Sequence, residues 1–185
     1  HARGVVFHLT KMYPEICRIG PFTIYAYGLM LVAAFLVGSA LAAVQAKREH
    51  INPDIIFKLC FISFISGIIG ARIFYIFENS GYYIKNPVEI IMLQHGGLSW
   101  YGGLISGALW GSAYLKSKKI PIFGALDLIA PFIALAQGIG RIGCLLNGCC
   151  YGKVAHFGIY SFVHKAVLIP TQIYSSLILI FISIF

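Results

Sequence analysis

The residue best placed to do chemistry is Arg141. It stands alone as a charge in the otherwise uncharged stretch Leu128–Tyr151, inside the string GIGRIGCLLNGCCYG that runs from Gly138 to Gly152. A charged side chain at such depth in an apolar run is costly and usually functional. A guanidinium is always protonated and presents a planar fork suited to phosphate, so the chemistry expected here is binding of an anion. A structural alternative is ion pairing with Asp127. Arg72 is the second such cation, with snorkelling or pairing with Glu78 as the competing reading. Two glycine doublets, Gly96-Gly97 and Gly102-Gly103, flank Ser99, Trp100 and Tyr101 in HGGLSWYGGLISG. Bare backbone there could offer N–H groups to a phosphate, or the glycines could simply pack helices in small-xxx-small fashion, as Gly103 with Gly107. Tyr27 and Tyr101 are polar groups within apolar surroundings. Cys144, Cys149 and Cys150 form C-x4-CC with no histidine at ligand spacing, a weak metal signature, so no metal site is expected. His95, His156 and His164 read as interfacial.

These residues need apolar elements to hold them. The 185-residue chain is 59% hydrophobic and 11% charged, with a mean hydropathy of +0.84. Soluble domains carry about 25% charged residues, which leaves an all-α, polytopic transmembrane bundle as the expected fold. A span needs roughly 20 apolar residues. About five are expected: Phe22–Val44, Pro53–Phe77, Gly97–Leu115, Phe123–Ile139 and Ala166–Phe185. His1–Arg18 reads as an amphipathic lead-in at the interface, Glu78–Gln94 as a connector, and Gly152–Lys165 as a short polar segment. The whole reads as one integral-membrane domain, a piece of a longer protein with further spans to follow. Lys47, Arg48, Lys116, Lys118 and Lys119 mark two loops as cytoplasmic, which turns Glu78–Gln94 and Gly152–Lys165 outward. The net charge of +8 suits anionic headgroups and calls for no nucleic acid. Five cysteines, an odd and mostly intramembrane set, are no disulfide framework.

GRIGCLLNGCCYG resembles the signature of the bacterial prolipoprotein diacylglyceryl transferases. So do YGLM at Tyr27–Met30, GARI at Gly70–Ile73, GGLSWYGGL, and PTQIY at Pro170–Tyr174. Together these pieces span nearly the whole chain, in the family's order. The resemblance implies an enzyme of the bacterial inner membrane with its site toward the periplasmic side. Its partners would be phosphatidylglycerol, the lipobox segment of a preprolipoprotein, and membrane lipids. The diacylglyceryl group would move to the lipobox cysteine thiol, forming a thioether and releasing glycerol phosphate, with no cofactor. Carried over by position, Tyr101, Arg141 and Tyr27 are the catalytic candidates. Arg141, Arg72, Gly102, Gly103, Asn147, Gly152 and Asp127 are the substrate-binding candidates.

Some positions depart from the family pattern. Tyr101 stands where many members have histidine, and a phenol is the poorer base at neutral pH, which suits it to orienting or hydrogen bonding. Cys144 and Cys149 replace Asn and Glu, and Ser175 replaces a glutamate. An alternative function is a membrane protein that binds or transports an anionic lipid or solute without chemistry. A third is a structural subunit whose glycines only pack helices.

Overall fold

In a computed structural model of the chain, the described residues are 6–7, 15–19, 22–92, 96–161 and 166–184. Helix α1 (Ala26–Arg48) closes on Lys47 and Arg48, which complement the negative end of the helix dipole. Asn52 caps α2 (Pro53–Glu78), its Oδ1 accepting the Asp54 N–H at 2.9 Å, while Pro53 takes the first-turn position where its missing donor costs nothing. Asn79 ends α2 and α3 (Ser80–Lys85) follows at once, then a short 3₁₀ turn at Pro87–Ile90. Helix α4 (Trp100–Ser117) and helix α5 (Ile122–Leu146) come next, the latter with Pro131 inside it, and α6 (Thr171–Ile182) is last.

Helices α1, α2 and α5 are long and apolar enough to cross a membrane. They match the first, second and fourth expected spans. Helix α4 occupies the third, but Gly, Ser, Trp and Tyr dilute the hydropathy of its 18 residues. The fifth expected span begins differently: Ala166–Leu168 is a strand, and the apolar α6 that follows has 12 residues. A helix of that length is roughly 18 Å long, short of the roughly 30 Å hydrocarbon core.

Strands appear in the expected lead-in and polar segments, and they also take the first residues of the first and fifth expected spans. They are β1 (Val6–Phe7), β2 (Glu15–Ile19), β3 (Phe22–Tyr25), β4 (Val154–Ser161) and β5 (Ala166–Leu168). One small sheet has the order β1-β4-β5, with β1 parallel and β5 antiparallel to β4, and β2 pairs antiparallel with β3. The polar segment 152–165 is therefore largely a strand. The rest of the lead-in, together with His95 and His164, lies outside the described residues.

The chain forms two compact units: residues 1–38 with 130–185, and residues 39–129. The core of the second is the α2–α4 pair. A Cβ on Gly102 would collide with Phe74 and the Gly70 carbonyl, and one on Gly70 with Ser106, so the helices close to backbone contact. Ser106 Oγ donates to the Ser66 carbonyl across this seam at 2.8 Å. In the first unit, α5 and α6 meet where Ser176 Oγ donates to the Gly138 carbonyl at 2.9 Å.

Candidate functional site

The string around Arg141 folds as the end of α5 and the turn after it. Asn147 N–H reaches the Gly143 carbonyl at 2.9 Å, and Gly148, at φ +71°, donates to the Leu145 carbonyl at 3.1 Å. A left-handed residue just past a helix is a common way to satisfy its last carbonyls. The chain doubles back, and Cys149 N–H bonds the Cys144 carbonyl at 3.1 Å. Three bonds then fasten this turn to the start of α6: Gly152 N–H to the Ile169 carbonyl at 2.9 Å, Thr171 Oγ1 to the Cys150 carbonyl at 2.8 Å, and Gln172 Nε2 to the Cys149 carbonyl at 2.5 Å. Two of the sequence strings that stood out, GRIGCLLNGCCYG and PTQIY, are thus one structure.

Tyr27 belongs to the same unit. Its ring stands beside Gly143, with Cδ2 3.4 Å from where a Cβ would be, and it lies within electrostatic range of Arg141 and Cys144. Arg141 is partly buried, and among the described residues its guanidinium has no hydrogen-bond partner. Tyr27 and Arg141 are therefore brought together, and Asn147 is exposed one and a half turns further on. Gly152 is small for a reason other than ligand approach: a Cβ would meet Thr171 Cγ2 at 2.9 Å and Ile169 Cβ at 3.1 Å.

Arg72 differs from expectation. It is 6% exposed and does not pair with Glu78. All its N–H groups face main-chain carbonyls: Nε that of Ile90, Nη1 those of Gly96 and Gly97, Nη2 those of Glu89 and Met92, at 2.5–3.2 Å. Its carbon Cζ lies 5.4 Å from the Tyr83 ring centre, a cation–π contact. Arg72 thus organises the connector, with its donors already engaged. Gly96 and Gly97 have φ of +80° and +84°, a conformation open to glycine, and this turns their carbonyls to Arg72. A cavity of about 400 Å³ sits there, lined by Tyr75, Asn79, Tyr82, Tyr83, Glu89 and the two glycines.

Gly102 and Gly103, candidate phosphate contacts in the sequence, lie in the α2–α4 seam, where Gly103 faces the Gly67 carbonyl. Helix packing, the competing reading, is what they do. Tyr101 is 66% exposed in the first turn of α4, edge-on to Trp100 at 5.3 Å between ring centres. Asp127 is exposed on α5 and belongs, with Tyr101 and Arg72, to the unit 39–129.

Two groups beyond the helices have altered acidity. Burial, then neighbouring Cys149, pushes the Cys150 thiol up, opposed in part by Cys144 and then Arg141. Burial raises the Tyr151 phenol, with Cys149 adding to it. Sequence reasoning did not single out Thr171 and Gln172. Their only signal was membership of PTQIY; Gln172, 1% exposed, would have stood out as a polar residue opening an apolar run.

The family model for prolipoprotein diacylglyceryl transferase matches residues 14–185. Among curated relatives, the phosphatidylglycerol–prolipoprotein diacylglyceryl transferase of Clostridium tetani is 38% identical over 173 residues, covering 90% of this chain and 69% of the relative. The protein of that name from Fusobacterium nucleatum is 40% identical over 142 residues, 76% of this chain and 49% of the relative. That from Streptococcus pyogenes serotype M1 is 37% identical over 172 residues, 89% and 66% respectively. The chain thus spans about half to two thirds of the length of these relatives.

Proposed function

The chain belongs to the prolipoprotein diacylglyceryl transferase family, and from that premise we propose that it moves the diacylglyceryl group of phosphatidylglycerol onto the lipobox cysteine of a preprolipoprotein. The substrate thiolate attacks an sp3 glycerol carbon. A C–S bond forms, the C–O bond to the phosphate breaks, and glycerol phosphate leaves with the electron pair. The nucleophile arrives with the substrate, so the enzyme's tasks are to place it, help remove its proton and stabilise the departing phosphate.

Arg141 does the last of these. Charge builds on the phosphate in the transition state, and a guanidinium already in place beside it lowers the barrier without reorganising. The observation that carries this reading is the Arg141 guanidinium, within electrostatic range of Tyr27 and with no hydrogen-bond partner among the described residues. Tyr27 and Asn147 supply hydroxyl and amide groups to the glycerol phosphate. The site opens to the outer leaflet of the inner membrane, the periplasmic side, because Lys47, Arg48, Lys116, Lys118 and Lys119 mark the opposite loops as cytoplasmic.

The test uses the intact protein in phosphatidylglycerol proteoliposomes with a lipobox peptide. Thioether-linked diacylglyceryl peptide and glycerol phosphate are followed by mass spectrometry, with Arg141→Ala alongside. Product from the wild type and its loss in the variant support the transfer and the role of Arg141. Folded protein that binds phosphatidylglycerol but makes no product replaces the enzyme with an anionic-lipid binding protein.

A further inference from the structure

We propose that Cys144, Cys149 and Cys150 form a binding site for a soft, thiophilic metal ion of the zinc or copper(I) class. Their spacing as C-x4-CC carries little weight in one dimension. The fold changes that, because the doubling-back of the chain after Gly148 brings all three sulfur atoms within 4.8 Å of one another. The Cys149 and Cys150 sulfurs are 3.4 Å apart and all three thiols are free.

The distances suit a metal. With metal–sulfur bonds of about 2.3 Å, three thiolates around one ion lie roughly 3.8–4.0 Å from each other. The present separations, 3.4 Å for the Cys149–Cys150 pair and no more than 4.8 Å for any pair, bracket that spacing. The main chain is already fixed: Gln172 and Thr171 hold the carbonyls of Cys149 and Cys150, and Cys149 N–H holds that of Cys144. The side chains are left as the adjustable part. Thiolates select soft d10 ions over the harder magnesium or calcium.

Charge also balances. Three thiolates around a divalent ion leave one negative charge, and Arg141 lies within electrostatic range of Cys150 to offset it. Cys144 and Cys149 are half-buried and Cys150 is exposed, so the site has a protected side and an entry. No residue outside this trio completes a metal-ligand group among the described residues, which leaves the remaining position to water or a small anion. The proposal stands on the thiols alone and does not depend on the transferase reading.

The test takes the intact, reduced protein in detergent and adds cadmium(II) or zinc(II) ions. The expected result is thiolate-to-cadmium charge-transfer absorption that saturates at one ion per chain and is displaced by zinc. Stoichiometric zinc should slow maleimide labelling of Cys149 and Cys150 at least about tenfold, since a coordinated thiolate is no longer a free nucleophile. Labelling of Cys60 should not change. Cys149→Ser should weaken binding about a hundredfold, and the wild-type protection experiment serves if that variant fails to fold. Absent absorption at stoichiometric cadmium, or unprotected labelling, overturns the site. So does a disulfide within the trio found by mass spectrometry after reductant is removed, which would make the cluster a redox pair.

Discussion

Arg72 and Arg141 are both arginines in apolar surroundings, and they meet opposite fates. Arg72 spends its donors on carbonyls 17 to 25 residues ahead, whereas the Arg141 fork has no hydrogen-bond partner among the described residues. Arg141→Lys should therefore lower turnover about a hundredfold, because a point charge cannot replace a bidentate fork, while leaving the melting temperature within a few degrees. Steady-state rates and thermal unfolding of the same preparation check both halves. Arg72→Leu should do the reverse. Removing the hydrogen bonds that tie the connector to α2 costs about 1 kcal/mol each, so unfolding should shift clearly downward. Arg141 was legible in the sequence as a charge without neighbours. The role of Arg72 was not, because its partners are main-chain atoms that no residue type advertises. At Cys150 the lowered thiol acidity has a definite sign: the fold favours the neutral form, so thiolate appears at higher pH than in a free cysteine. Metal-free protein should be alkylated at Cys150 with a pH midpoint above that of a cysteine-containing peptide, and an equal or lower midpoint contradicts the burial argument.

The pairing of α2 with α4 is built on absent side chains. Gly70 and Gly102 give the two helices backbone-to-backbone contact, and Ser106 adds a hydrogen bond to the Ser66 carbonyl. Gly102→Val would drive a methyl-bearing carbon into Phe74 and the Gly70 carbonyl, which cannot retreat. The expected cost is about 3 kcal/mol or more, read as a lower unfolding temperature in detergent. Gly96→Ala carries no such collision but strains a left-handed backbone. Helix starts were readable where chemistry marks them, as in Asn52-Pro53-Asp54. The strands β4 and β5 were not, since neither alternates cleanly between apolar and polar residues. Ala166–Leu168 also runs straight into an apolar helix, with Pro170 the sole punctuation between them.

For the molecule as a whole, hydropathy alone announced a membrane protein, and helices α1, α2 and α5 have the length and composition to cross one. The basic residues Lys47, Arg48, Lys116, Lys118 and Lys119 predict an orientation that labelling can test. In a cysteine-free background, Lys153→Cys should be labelled by an impermeant maleimide from outside intact spheroplasts, and Ser117→Cys only after lysis; the opposite pattern would reverse the topology. The joining of GCCYG to PTQIY was beyond sequence reasoning for a plain reason: the bonds from Thr171 and Gln172 end on carbonyls, which every residue has. That same fact separates the shape of the loop from its chemistry. Because Cys149 and Cys150 are gripped by their backbones, the loop is a socket whose displayed groups can be exchanged while its frame stands. A carboxylate, an amide or a thiol at position 149 would be presented from the same place, so rewriting what this turn can bind requires changing side chains and leaving the fold alone.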